Sequence, residues 1–216
     1  MANQQVQIPS GSALLDGELT IPSPSPGLVL FAHGSGSSRH SSRNQFVARV
    51  IREAGIGTLL FDLLTPDEEA EDVMTSRLRF DIGLLAKRLV DATRWIAGRP
   101  DTCRLGLGYF GASTGAAAAL AAAAEIGPAI DAVVSRGGRP DLAGEALSRT
   151  CSPTLLIVGS LDQLVLQLNE QALARLRCER KLVIVAGASH LFEEAGTLDQ
   201  AARLAADWFR QHLQPR

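Results

Sequence analysis

The chain lacks any marked charge excess: its 216 residues hold 21 Lys and Arg against 23 Asp and Glu, a formal net charge of -2. That balance removes a global electrostatic reason to bind nucleic acid or an anionic membrane. Any anion preference must come from a local arginine cluster. Cysteine is scarce too. Cys103, Cys151 and Cys178 cannot all pair within one chain, and none has a Cys-x-x-Cys neighbour, which excludes a disulfide framework and a cysteine metal site. Their apolar surroundings predict buried free thiols. No basic stretch followed by an apolar run opens the chain, so no signal peptide is expected. The alanine-rich run from Ala116 to Ala124 is too short to span a bilayer and ends in Glu125. A soluble cytoplasmic protein follows as the expectation, monomer or homodimer, without nucleic-acid or membrane partners.

What is present is a globular composition, 46% hydrophobic and 20% charged. A chain of this length can bury roughly 70% of its unfolded surface and needs no metal or disulfide to fold. Two β runs open it, around Gln5 to Ile8 and Ala13 to Ile21. The Pro22 to Gly27 segment that follows is too short to separate domains, and a single domain over residues 1–216 is expected. Strands then alternate with helices. Strands are predicted at Gly27 to Ala32, Thr58 to Leu63, Arg104 to Phe110, Ile130 to Ser135, Thr154 to Gly159 and Lys181 to Ala186. Helices are predicted at Ser42 to Ala54, Met74 to Ala97, Thr114 to Glu125, Asp141 to Leu147, Val165 to Leu176 and Leu198 to Leu213. This alternation implies an α/β fold, a mostly parallel sheet with helices on both faces and an antiparallel N-terminal hairpin. Ligands of such sheets bind at the carboxyl ends of the strands.

The chemistry-bearing residues fall at those ends. Leu105 to Phe110 leads into Gly111-Ala112-Ser113-Thr114-Gly115, and a helix begins directly after. Gly-x-Ser-x-Gly at a strand-to-helix turn is the setting of a serine nucleophile, with small flanking residues where strand and helix must pack closely. A helix N-cap is the competing role for Ser113. The acid and base follow in the order Ser, Asp, His. Asp162 ends the loop after the strand Thr154 to Gly159, and His190 ends the loop after Lys181 to Ala186. His190 would take the Ser113 proton while Asp162 fixes its tautomer. Helix capping competes for Asp162 as well. Asp131 and Asp141 are weaker rivals by position.

The strand Leu28 to Ala32 runs into His33-Gly34-Ser35-Gly36-Ser37-Ser38. A backbone N–H of this loop, Ser35, pairs with that of Thr114 as candidate oxyanion donors. An ordinary Gly/Ser turn is the alternative; a P-loop is excluded by the missing Gly-Lys-Ser/Thr ending. His33 reads as a structural hydrogen-bonding residue. Arg39, Arg43 and Arg136 lie near these strand ends and are candidates to bind an anionic group of a substrate, Arg136 foremost. Solvated or structural arginines are the competing reading.

These residues resemble the dienelactone-hydrolase-like branch of the α/β-hydrolase superfamily, over nearly the whole chain. The resemblance implies the α/β-hydrolase fold and a triad at Ser113, Asp162 and His190. Dienelactone hydrolases proper use a cysteine nucleophile, so Ser113 turns the expectation toward a carboxylesterase. The segments His33 to His40, Ser135 to Pro140 and His190 to Glu194 are also similar to a group of small bacterial hydrolase-fold proteins. Some of those occur fused to a phosphoribosyltransferase domain, and no such domain is expected within residues 1–216. The short acidic insertion after Asp62 leaves little room for a lid. The expected activity is hydrolysis of small or short-acyl esters without a cofactor or metal. Lactone hydrolysis, acyl transfer and a non-catalytic ligand-binding role are the alternatives.

Overall fold

The computed structural model describes residues 3–216. Its strands are β1 (Asn3–Ser10), β2 (Ala13–Thr20), β3 (Gly27–Ala32), β4 (Gly57–Phe61), β5 (Gly106–Ala112), β6 (Ala132–Arg136), β7 (Thr154–Gly159) and β8 (Arg180–Val185). They form one eight-stranded sheet in the order β1-β2-β4-β3-β5-β6-β7-β8. β1 and β2 form an antiparallel hairpin that joins β4 antiparallel, and all pairings from β4 to β8 are parallel.

The helices are α1 (Ser42–Glu53), α2 (Pro66–Thr75), α3 (Ile82–Ala97), α4 (Thr114–Ile126), α5 (Ala146–Arg149), α6 (Gln163–Arg175) and α7 (Thr197–His212). Alternate residues of β3 show why the strands read as continuous apolar runs. Leu28, Leu30 and Ala32 face a core with Leu89 and Ile96 of α3 and Leu120 of α4. Val29 and Phe31 face the opposite core, with Val47 and Ile51 of α1 and Phe209 of α7. Every residue of β3 is buried, as a strand covered on both faces must be.

Three expectations change. The helix predicted from Met74 to Ala97 is broken. α2 is capped by Thr65, whose hydroxyl accepts from the Glu68 N–H while the Glu68 carboxylate accepts from the Thr65 N–H, and it ends at Ser76 in a left-handed conformation (φ 53°). A short 3-10 turn at Leu78–Phe80 follows, and Asp81 caps α3 by accepting from the Leu84 N–H. The capping signals are local and outweigh the longer apolar periodicity. The helix predicted from Asp141 to Leu147 is likewise split, by Gly144 at φ 55°. The cysteines are not buried: Cys103 and Cys151 are exposed and Cys178 is partly so. Each lies in a turn leading into a strand, where apolar neighbours belong to the elements on either side.

Among the described residues, no helix is long and apolar enough to cross a membrane.

Candidate active site

β5 runs two residues further than predicted and delivers Ser113 directly into α4. Ser113 has φ 51° and ψ -122°, a backbone conformation that a non-glycine residue holds only at a cost of order 1–3 kcal/mol. Close packing enforces the turn. A Cβ on Gly115 would lie 2.1 Å from the Ala32 carbonyl oxygen, and one on Gly111 would lie 2.4 Å from the Ala116 Cα. Ser113 stands at the N-cap position yet its side chain makes no capping bond, so the hydroxyl is left for other chemistry. The backbone around it is tied down: Ser113 N–H donates to the Arg136 carbonyl at 3.3 Å, and Arg139 N–H to the Ser113 carbonyl at 3.0 Å.

Asp162 is also at an N-cap position, of α6, and also makes no capping bond. Its carboxylate accepts instead from His190 Nδ1 at 2.6 Å. Because an ionised carboxylate can only accept, that contact places the ring proton on Nδ1 and leaves Nε2 with its lone pair. Asp162 is mostly buried (15% side-chain exposure) while His190 is 39% exposed, so one end of the ring is anchored and the other meets solvent. Ser113 and His190 line one cleft of about 270 Å³, together with Gly34, Ser35, Ser37, Ser41, Arg43 and Arg136. The rival acids are engaged elsewhere. Asp131 accepts from the Leu107 N–H, and Asp141 pairs with Arg139.

The loop after β3 passes directly over Ser113. A Cβ on Gly34 would stand 3.1 Å from the Ser113 Cβ, so this crossing is close enough to favour glycine. Thr114 is the first residue of α4, and its N–H has no carbonyl one turn back to bond. Ser35 N–H is different. It donates to the Thr114 hydroxyl at 2.9 Å, a contact that the sequence pattern does not signal. The two candidate oxyanion donors therefore adjoin, but one has a side-chain acceptor in this state. His33 is buried: Nε2 accepts from the Leu63 N–H at 3.0 Å, and Nδ1 donates to the Gly34 carbonyl at 3.0 Å. Burial holds its pKa below the ordinary imidazole value. It is a neutral brace between two loops.

The three arginines separate. Arg39 is bound by both side chain and backbone to Asp62, with Asp16 at 4.0 Å, and does not line the cleft. It is a structural ion pair, which corrects its expected place at the substrate. Arg43 reaches the cleft and has Glu193 at 3.6 Å. Arg136, the last residue of β6, is 7% exposed and lies between the rings of Phe110 and Phe192, 6.0 and 5.9 Å from their centroids. Burial, with the neighbouring Arg43 charge, pushes its pKa down to about 10. Among the described residues, no group of His, Cys, Asp and Glu is arranged to hold a metal ion.

No family model matches the chain. A dienelactone hydrolase from Anabaena variabilis of solved structure is 55% identical to it, with TM-score 0.97 and 99% of each chain covered. Est1E from Butyrivibrio proteoclasticus is 14% identical with TM-score 0.80, covering 96% of this chain and 98% of its own, a likeness of fold alone. Curated Mycobacterium tuberculosis proteins provisionally named phosphoribosyl transferase are 56% identical over 213 residues, 99% of this chain and 47% of theirs. The chain thus spans about half the length of the curated relatives it matches. At that identity and coverage with the Anabaena variabilis protein, the chain belongs to the dienelactone-hydrolase-like branch of the α/β-hydrolase superfamily.

Proposed function

We propose that this chain is a serine hydrolase of small or short-acyl carboxylic esters, acting through an acyl-enzyme at Ser113. The observation that carries the reading is the uncapped Ser113 hydroxyl on a strained turn, sharing its cleft with a histidine whose Nδ1 is fixed by Asp162 at 2.6 Å. In the proposed reaction, Ser113 Oγ attacks the ester carbonyl as His190 Nε2 takes its proton. The protonated ring then gives that proton to the departing alkoxide, and the alcohol leaves. Water, deprotonated by the same nitrogen, attacks the acyl-enzyme, and the ring returns that proton to Ser113 Oγ as the acid leaves. Asp162 stabilises the charged imidazole in both halves.

Thr114 N–H, at the positive end of the α4 dipole, is the primary oxyanion donor. Ser35 N–H joins it only by exchanging the Thr114 hydroxyl for the developing oxyanion. The name of the Anabaena relative supports lactones as substrates of the same machinery, since a lactone is an ester closed on itself. The test is turnover of short p-nitrophenyl esters. Wild-type protein should hydrolyse them and folded Ser113→Ala should not; equal turnover by the two overturns the reading.

A further inference from the structure

The cleft beside Ser113 has more cation than its own acids neutralise. Arg136 is buried at 7% exposure, and its Nε and Nη1 have no acceptor among the described residues. A guanidinium stripped of water and left without a carboxylate is unfavourable unless a ligand completes it. The charge that acts on it is that of Arg43, also positive. It stays protonated at neutral pH all the same. Phe110 and Phe192 hold the planar group from the sides, so it is fixed before any ligand arrives.

The opposite wall adds an independent feature. The N-terminus of α1 opens on the same cleft through Ser41, its N-cap, and Arg43 in its first turn. That first turn holds no acid, and a cation there opposes the helix dipole. Ser35 and Ser37 line the cleft between the two walls. The countercharge is Glu193, 64% exposed and 3.6 Å from Arg43 at the rim. With Arg43 paired to Glu193 and Asp162 engaged by His190, Arg136 is the cation of this cleft left without a carboxylate, and the helix terminus adds its partial positive charge beside it. Arg136 Nε and Nη1 are sealed from solvent, so the group meets the cleft through Nη2; together with the Arg43 guanidinium and helix N–H donors it suits several oxygens at once.

We propose that this cleft holds a phosphate subsite, formed by Arg136, Arg43 and the N-terminus of α1, so that the ester cleaved at Ser113 carries a phosphate monoester. The phosphoryl group is a handle and does not react; the only bond broken is the carboxylic ester. The substrate assignment rests on the serine hydrolase reading, whereas the subsite is measurable without turnover.

Calorimetric titration with inorganic phosphate, against acetate at matched ionic strength, tests the subsite in wild-type and Ser113→Ala protein. Saturable phosphate binding in both, with acetate much weaker, is the expected result. Loss of a charge-assisted pair at Arg136→Met should weaken phosphate about tenfold or more. Met keeps an apolar filling between the two phenylalanines. Arg43→Gln, at a half-exposed position that does not threaten folding, should weaken it about two- to fivefold. Phosphate binding no better than acetate overturns the proposal, as does wild-type affinity in folded Arg136→Met or Arg43→Gln. Should phosphate bind as expected while no ester is turned over, the subsite stands and the hydrolase reading falls.

Discussion

His190 Nδ1 and Asp162 Oδ2, 28 positions apart in the chain, meet at 2.6 Å across the loops that follow β7 and β8. Those strands are neighbours in register, from Thr154 against Arg180 to Gly159 against Val185, so their ends bring the two loops side by side. The sheet, not either loop alone, positions the pair.

Asp162→Asn should leave the fold intact, because Asp162 makes no capping bond to α6. An amide can donate to Nδ1 and so favours the wrong tautomer. Ester turnover should fall by about 10³- to 10⁴-fold with little change in melting temperature. A loss below tenfold would remove Asp162 from the proposed machinery.

Gly115→Ala tests the turn itself. The added Cβ meets backbone, the Ala32 and His33 carbonyl oxygens at 2.1 and 2.5 Å, and neither can swing aside. Chemical denaturation should show a loss of about 3 kcal/mol or more. A variant as stable as wild type would mean that β3 and α4 are not packed as described.

Thr114→Val removes the acceptor of the Ser35 N–H while keeping the shape of a side chain that is 4% exposed. Ser35 faces the open cleft, so water can replace the lost acceptor; the missing bond should cost about 0.5–1.5 kcal/mol in unfolding experiments, and Thr114→Ser should recover most of it. Equal stability of the Val and Ser variants would contradict the loop tie.

His33 predicts an acid-side stability slope. Its pKa is lower folded than unfolded, where the ordinary value of 6.5 applies, so between the two values the unfolded chain binds the extra proton. The neutral brace contributes fully above that value and is lost as pH falls below it, toward the folded-state pKa. Denaturation midpoints should therefore drop on acidification from pH 6.5, and His33→Gln should flatten the drop. An unchanged slope in that variant would assign the effect to other groups.

Much of the candidate site is legible in the sequence because strand ends mark it. Gly27 to Ala32 and Thr154 to Gly159 were bounded correctly, since continuous apolar runs between polar turns are unambiguous when both faces are covered. Ser113, Asp162 and His190 each follow such a run. The split at Ser76 is hidden in the sequence although Thr65, Glu68 and Asp81 carry the capping chemistry, because the apolar periodicity reads through it. Contacts between distant segments left no pattern at all. The Ser35 bond to Thr114, the Arg39 pair with Asp62 and the enclosure of Arg136 by Phe110 and Phe192 depend on sheet order, which no local spacing encodes.

The central claim is that Ser113 is an activated nucleophile, and covalent labelling tests it most directly. Treated with a fluorophosphonate, the folded protein should gain one adduct, which peptide mass spectrometry should map to Ser113. Labelling should slow sharply in His190→Ala. A folded wild-type protein that remains unlabelled, or is labelled elsewhere with Ser113 untouched, would contradict the account.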